Sequence, residues 1–154
     1  MSKFKKIPYE QAAEIVKKIE HRFKELKIKF AVGGSYARKE KSIGDIDILV
    51  HEKCLSEAKR ILKEIPGAER VEVYSSNDES WGAQLLHLYG DATFNIIMRS
   101  LAKKKGYILN QYGLFSRETG EKITSDEKEI FKLLELSWVP PWERKGVKGI
   151  KKLK

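Results

Sequence analysis

The sequence predicts an α/β (α+β) fold: a mixed β-sheet with flanking helices, followed by a small α/β module. Three features carry this. Helical and strand periodicities alternate through the first part of the chain. The pairs Gly33-Gly34 and Pro66-Gly67 punctuate those segments. After Gly90 the texture changes to a capped helix, a hairpin and a second helix, so the expected division is residues 1–89 and 90–154.

Residues 8–26 read as an amphipathic helix. Ala12, Val16, Ile19, Phe23 and Leu26 recur on one side, and Pro8 suits a first turn. Short strands are predicted over 29–32 and 45–50. Residues 55–65 have helical spacing and end at Pro66-Gly67. Alternation makes 70–75 a third strand, 75–80 a polar turn, and 84–88 a fourth strand. Asp91 can cap a helix over 91–105 that buries Phe94, Ile97, Met98 and Leu101 and stops at Gly106. Residues 114–123 read as a hairpin turning near Thr119-Gly120. Thr124-x-x-Glu127 has the form of a capping box opening a helix through Leu136. Pro140-Pro141 ends regular structure, and a basic tail follows.

Charge narrows the class of partner. Of 154 residues, 31 are Lys or Arg and 22 Asp or Glu, a formal +9, and the isoelectric point is near 9.5. Such a surplus favours a polyanion, because a positive surface gains free energy by releasing counterions from phosphates. A lysine-rich solubility surface is the competing explanation, since 34% charged residues would serve that as well. Hydrophobic residues at 41% are enough for a core. Cys54 is the sole cysteine, so no intrachain disulfide can form and a reducing, intracellular (cytoplasmic) setting is expected. No apolar run approaches the ~20 residues of a membrane span.

The chemistry concentrates in Gly33-Gly34-Ser35-Tyr36-Ala37-Arg38 and, shortly after, Gly44-Asp45-Ile46-Asp47. On a strand, Asp45 and Asp47 share one face while Ile46, Ile48 and Val50 take the other. Two carboxylates ~7 Å apart on one face repel unless cations sit with them. Two divalent ions ~3.5–4 Å apart are the usual apparatus of in-line phosphoryl displacement. Alone, D-x-D is more often a solvated acidic edge. A Gly-Gly-Ser turn changes that balance, because nothing keeps its backbone amides from phosphate oxygens. Arg38 adds a fixed guanidinium fork three residues beyond the serine.

G-G-S-x-x-R followed by G-D-x-D at the start of a strand resembles the signature of the nucleotidyltransferase superfamily that contains DNA polymerase beta. Further stretches resemble its family X polymerases: Ile7-Pro8-Tyr9-Glu10 before a helix, the run from Gly90 to Arg99, Gly106 to Leu114, and Val139-Pro140-Pro141-Trp142-Glu143-Arg144. The resemblance implies a nucleotidyltransferase palm subdomain over 1–89 and a thumb subdomain over 90–154. It implies a DNA-directed DNA polymerase that adds deoxynucleoside triphosphates to gapped or primer–template DNA. Two ions, Mg²⁺ with Mn²⁺ as the alternative, would be the cofactors, and a monomer would be the working form. No lyase or helix–hairpin–helix segment is expected ahead of the palm.

By the same resemblance, Asp45 and Asp47 are catalytic carboxylates holding both metals. Gly34, Ser35, Arg38 and Gly44 meet the triphosphate. His87 and Gly90 line the sugar and base of the nucleotide, and Asn95 and Arg99 reach the nascent pair. For His87, Asn95 and Arg99, ordinary structural or surface roles are the competing reading. The family's third carboxylate is usually Asp, whereas Arg70-Val71-Glu72-Val73 stands at its place here. Glu72 has the strand parity for it; Asp78 and Glu79 are the alternatives in a turn. DNA contacts fall to Lys103, Lys104 and Lys105 and to the tail residues Arg144, Lys145, Lys148, Lys151 and Lys152. Rival functions are a template-independent or RNA- or protein-directed nucleotidyltransferase and a catalytically weak DNA-binding module.

Overall fold

A computed structural model describes residues 4–153. The chain divides into two compact units, Met1–Asn77 and Asp78–Lys154, and the described residues give each its own apolar core.

In the first unit, helix α1 (Tyr9–Glu25) packs Ala12, Val16, Ile19 and Phe23 inward, an i, i+3/i+4 stripe. Leu26, expected on that stripe, caps the helix end and stays exposed. Pro8 sits at the N-cap, one step before the expected first turn. Strands β2 (Phe30–Val32), β4 (Ile46–His51) and β5 (Val71–Ser76) form a mixed sheet in the order β2-β4-β5. β2 runs antiparallel to β4, and β4 runs parallel to β5. The parallel pair requires a crossover, and helix α3 (Leu55–Leu62) lies within it. Ile46, Ile48 and Val50 enter the core from β4, as the alternation predicts. A two-stranded ribbon absent from the sequence reading pairs β1 (Ile7–Pro8) with β3 (Ser42–Ile43).

The second unit begins with helix α4 (Trp81–Tyr89), and this corrects the strand expected over 84–88. Gln84, Leu86 and Leu88 are buried in strand-like alternation, and only Ala83 beside them breaks it. Ala, Gln and Leu are strong helix formers, and an apolar run buried on several sides loses the period that tells helix from strand. Asp91 caps α5 (Ala92–Lys104) as expected, accepting from the Phe94 amide at 2.8 Å. An antiparallel sheet follows: β6 (Tyr107–Asn110), β7 (Gly113–Ser116) and β8 (Lys122–Thr124). Helix α6 spans Glu127–Leu133 and is capped by Asp126, which accepts from the Glu129 amide at 2.9 Å. The expected capping box at Thr124 is therefore not formed; Thr124 accepts from the Asp126 amide instead, at 3.0 Å.

The basic tail is part of this second core. One-turn 3₁₀ helices form at Pro141–Glu143 and Gly146–Gly149. The Gly146 amide donates to the Asp91 carboxylate at 3.0 and 3.1 Å. Ser137 donates to the Lys151 carbonyl and Leu153 to the Glu135 carbonyl.

Candidate active site

Strand β4 and helix α2 (Gly34–Ala37) build the first half of the site. The Gly33 amide donates to the Asp47 carbonyl at 2.8 Å and ties the glycine turn to the acidic strand. Gly34 has φ +60, and a Cβ there would run into the Asp47 carboxylate. Glycine is required at that position because the turn lies against the carboxylate. Ser35 and Arg38 lie on or just past α2, both partly buried. Arg38 Nε pairs with Glu40 Oε2 at 2.8 Å.

The parallel register sets Asp47 directly beside Glu72. Asp78 and Glu79 lie beyond the end of β5, outside this pairing. The Asp47 carboxyl is pushed up to about 6, chiefly by burial, then by the negative charges of Glu72 and Asp45, with Arg38 drawing it down. Glu72 is exposed and accepts from the Tyr74 hydroxyl at 3.0 Å. Burial and the charges of Asp47, Glu72 and Asp45 push the Tyr74 phenol above its ordinary value, so it remains a donor. Among the described residues, no three His, Cys, Asp or Glu side chains already stand gathered around one point. The donor set nevertheless suits a hard divalent cation: three carboxylates whose mutual repulsion a cation would relieve.

Several contributors had no sequence signal. Arg70 donates to the carbonyls of Gly44 (3.1 Å) and Lys5 (2.7 Å), fixing the approach to Asp45. Gly44 itself is buried. Tyr36, inside α2, stacks on Tyr9 with rings 5.0 Å apart and nearly parallel. An aromatic inside the glycine–serine turn was the one hint available.

In the second unit, His87, Asn95 and Arg99 come together. The Asn95 side-chain amide donates to the His87 carbonyl at 2.8 Å, and Arg99 Nη2 lies 3.1 Å from His87 Nδ1. Burial, then the Arg99 charge, lowers the His87 pKa, which favours the neutral imidazole beside Arg99. These three, with Ala83, Met98 and Asn110, line one recess. A Cβ at Gly90 would collide with Phe94 and Asn95. Lys103, Lys104, Lys145, Lys148, Lys151 and Lys152 are exposed, though Lys151 pairs with Glu143; Lys105, also surface-placed, pairs with Glu135.

Arg144 is the exception among the expected DNA contacts. It is wholly buried, bidentate to Glu127 (2.8 and 3.2 Å), and its guanidinium lies over the rings of Phe131, Trp138 and Tyr89. It holds the core together and offers nothing to phosphate.

The DNA polymerase beta palm model matches residues 6–79, and the DNA polymerase beta thumb model matches 84–145. The chain belongs to the family X DNA polymerases. Its family X relatives include the DNA polymerase/3'-5' exonuclease PolX of Bacillus subtilis (strain 168), 28% identical over 88% of this chain. The chain spans only 28% of that protein's length. Repair DNA polymerase X of African swine fever virus (isolate Tick/South Africa/Pretoriuskop Pr4/1996) is 29% identical, covering 72% of this chain and 78% of the viral protein. DNA polymerase lambda of Rattus norvegicus is 34% identical over 52% of the chain and 17% of its own length. No described helix is long and apolar enough to cross a membrane.

Proposed function

We propose that this family X chain is a DNA-directed DNA polymerase that fills short gaps during repair, extending a primer 3′-hydroxyl with deoxynucleoside triphosphates. The observation that carries the reading is the β4–β5 register, which sets Asp47 beside Glu72 next to the Gly33-Gly34 turn. Asp45, Asp47 and Glu72 would hold two divalent ions, Mg²⁺ or Mn²⁺. Those ions, when bound, supply the charge that favours an ionised 3′-hydroxyl and a departing pyrophosphate. Burial and the negative charges of Glu72 and Asp45 raise the Asp47 carboxyl, and a bound cation would offset that repulsion. Gly34 keeps the phosphate turn close to Asp47, and Ser35 and Arg38 orient the triphosphate, Arg38 exchanging Glu40 for phosphate oxygens.

His87, Asn95 and Arg99 are assigned to the sugar and base of the nucleotide. The depressed His87 pKa favours Arg99 as the cluster's positive charge. The exposed lysines of the second unit hold the DNA backbone. A monomer in a reducing compartment is the working form, consistent with a lone Cys54.

Primer extension on a one-nucleotide gap, with Mg²⁺ and then Mn²⁺, tests the assignment. Incorporation should follow the template base, which separates it from a template-independent transferase. Asp47→Ala should lower extension by about 10²–10³-fold, the scale of losing a preorganised electrostatic group. Extension at a tenth of the wild-type rate would overturn the carboxylate assignment.

A further inference from the structure

We propose that Tyr74 is a positioning residue for the third carboxylate, its phenol fixing where the longer glutamate delivers its oxygens. The inference rests on the reading of Glu72 as a metal-binding group. Glu72 and Tyr74 are two apart on β5 and so project from the same face of the strand. The Tyr74 hydroxyl donates to Glu72 Oε2 at 3.0 Å, which leaves Oε1 as the oxygen free to turn toward Asp47, its neighbour across the β4–β5 pair.

A glutamate here has a cost that an aspartate would not. Its extra methylene adds a rotatable bond, and an exposed carboxylate on such a stem samples many rotamers. An aspartate at the same place has one rotatable bond fewer to fix. The Tyr74 ring is partly buried, so its hydroxyl is a fixed post and Glu72 is the mobile partner. The hydrogen bond converts a floppy ligand into an aimed one. Residue 74 is therefore the compensation that lets glutamate stand where the family usually places aspartate.

The test uses the whole chain, Mn²⁺ alone as the first probe, and a gapped primer–template as the second. Free Mn²⁺ is followed by electron paramagnetic resonance, and kcat and the nucleotide KM are measured separately. Tyr74→Phe keeps the ring and should leave the melting temperature in place. It should weaken Mn²⁺ binding and lower kcat by about tenfold each, the size of one hydrogen bond to a charged acceptor, while the nucleotide KM stays within about twofold. In a Glu72→Asp background the same substitution should do nothing, because the shorter carboxylate does not reach the phenol.

If Glu72→Gln weakens Mn²⁺ binding and Tyr74→Phe does not, the positioning role is overturned and the functional reading stands. If Glu72→Gln leaves Mn²⁺ binding unchanged, both are overturned. An equal loss from Tyr74→Phe in the wild-type and Glu72→Asp backgrounds would show that the phenol acts on some other group, which also overturns the inference.

Discussion

Asp47 carries opposite demands at a single side chain. The unfolded chain titrates this carboxyl near 3.8, and the fold raises it to about 6. The native state thus binds the proton more tightly than the unfolded state. Its contribution favours folding below the unfolded value and is lost as pH rises through 6. A rise of this size corresponds to about 3 kcal/mol at most. Asp47→Asn should therefore stabilise the metal-free protein by up to about that amount at pH 8 and by little at pH 3, as urea melts would show. Divalent cation should raise the wild-type melting temperature more at pH 8 than at pH 5, and should not do so in Asp47→Asn. Equal cation effects in the two proteins would remove Asp47 from the binding set.

At the scale of elements, α6 and the segment after it behave as one piece. Glu127 opens α6, accepts from both terminal guanidinium nitrogens of Arg144, and accepts from the Trp138 indole at 3.0 Å. Breaking a buried pair by removing one partner costs about 3–5 kcal/mol. Arg144→Ala should destabilise the second unit by about that amount in thermal or denaturant melts. Lys148→Ala, at an exposed position, should change stability by less than about 0.5 kcal/mol. Truncation of the basic tail would remove Arg144 and unfold the unit, so point substitution is the informative way to probe it. This element also shows what the sequence leaves illegible. The strand positions of Asp47 and Glu72 could be read from alternation, because a period of two survives in any strand, whereas Asp45, expected on the same strand, falls just before it. Asp91 could be read as a cap, because caps are local. Arg144 could not: Arg144 and Lys145 look alike in a basic tail, and only the fold brings Glu127 and three aromatic rings around one of them. The strand misread at 84–88 and the unseen Tyr74–Glu72 bond share this cause, since burial and side-chain partners arise from tertiary packing.

For the molecule as a whole, the +9 charge predicts how DNA is held. Affinity should fall steeply with salt, by a log–log slope of roughly 0.9 for each phosphate neutralised. Replacing Lys103, Lys104, Lys145 and Lys148 with Gln should flatten that slope by about 0.9 for each lysine that meets a phosphate. kcat at saturating gapped DNA should stay near wild type. Fluorescence anisotropy titrations at several salt concentrations would measure this, and an unchanged slope in the fourfold variant would mean these lysines are only solvated.

The parallel pairing of β4 with β5 also bears on the order of folding events. Asp47 and Glu72 lie on strands joined by a crossover that carries α3, so the chain must close a long loop before the two carboxylates meet. Their repulsion is felt only when that register closes, and above pH 6 it opposes the closing step itself. Millimolar Mg²⁺ should therefore change the refolding or unfolding rate of the wild-type protein in stopped-flow experiments. The same change should be absent from Glu72→Gln, in which the strands meet without opposing charge. Acceleration of refolding would mean that the cation binds as the sheet assembles, whereas slower unfolding alone would mean that it enters after the sheet is complete. Either outcome would time the meeting of Asp47 and Glu72, the proposed metal-binding pair, within the folding reaction of the domain that carries them.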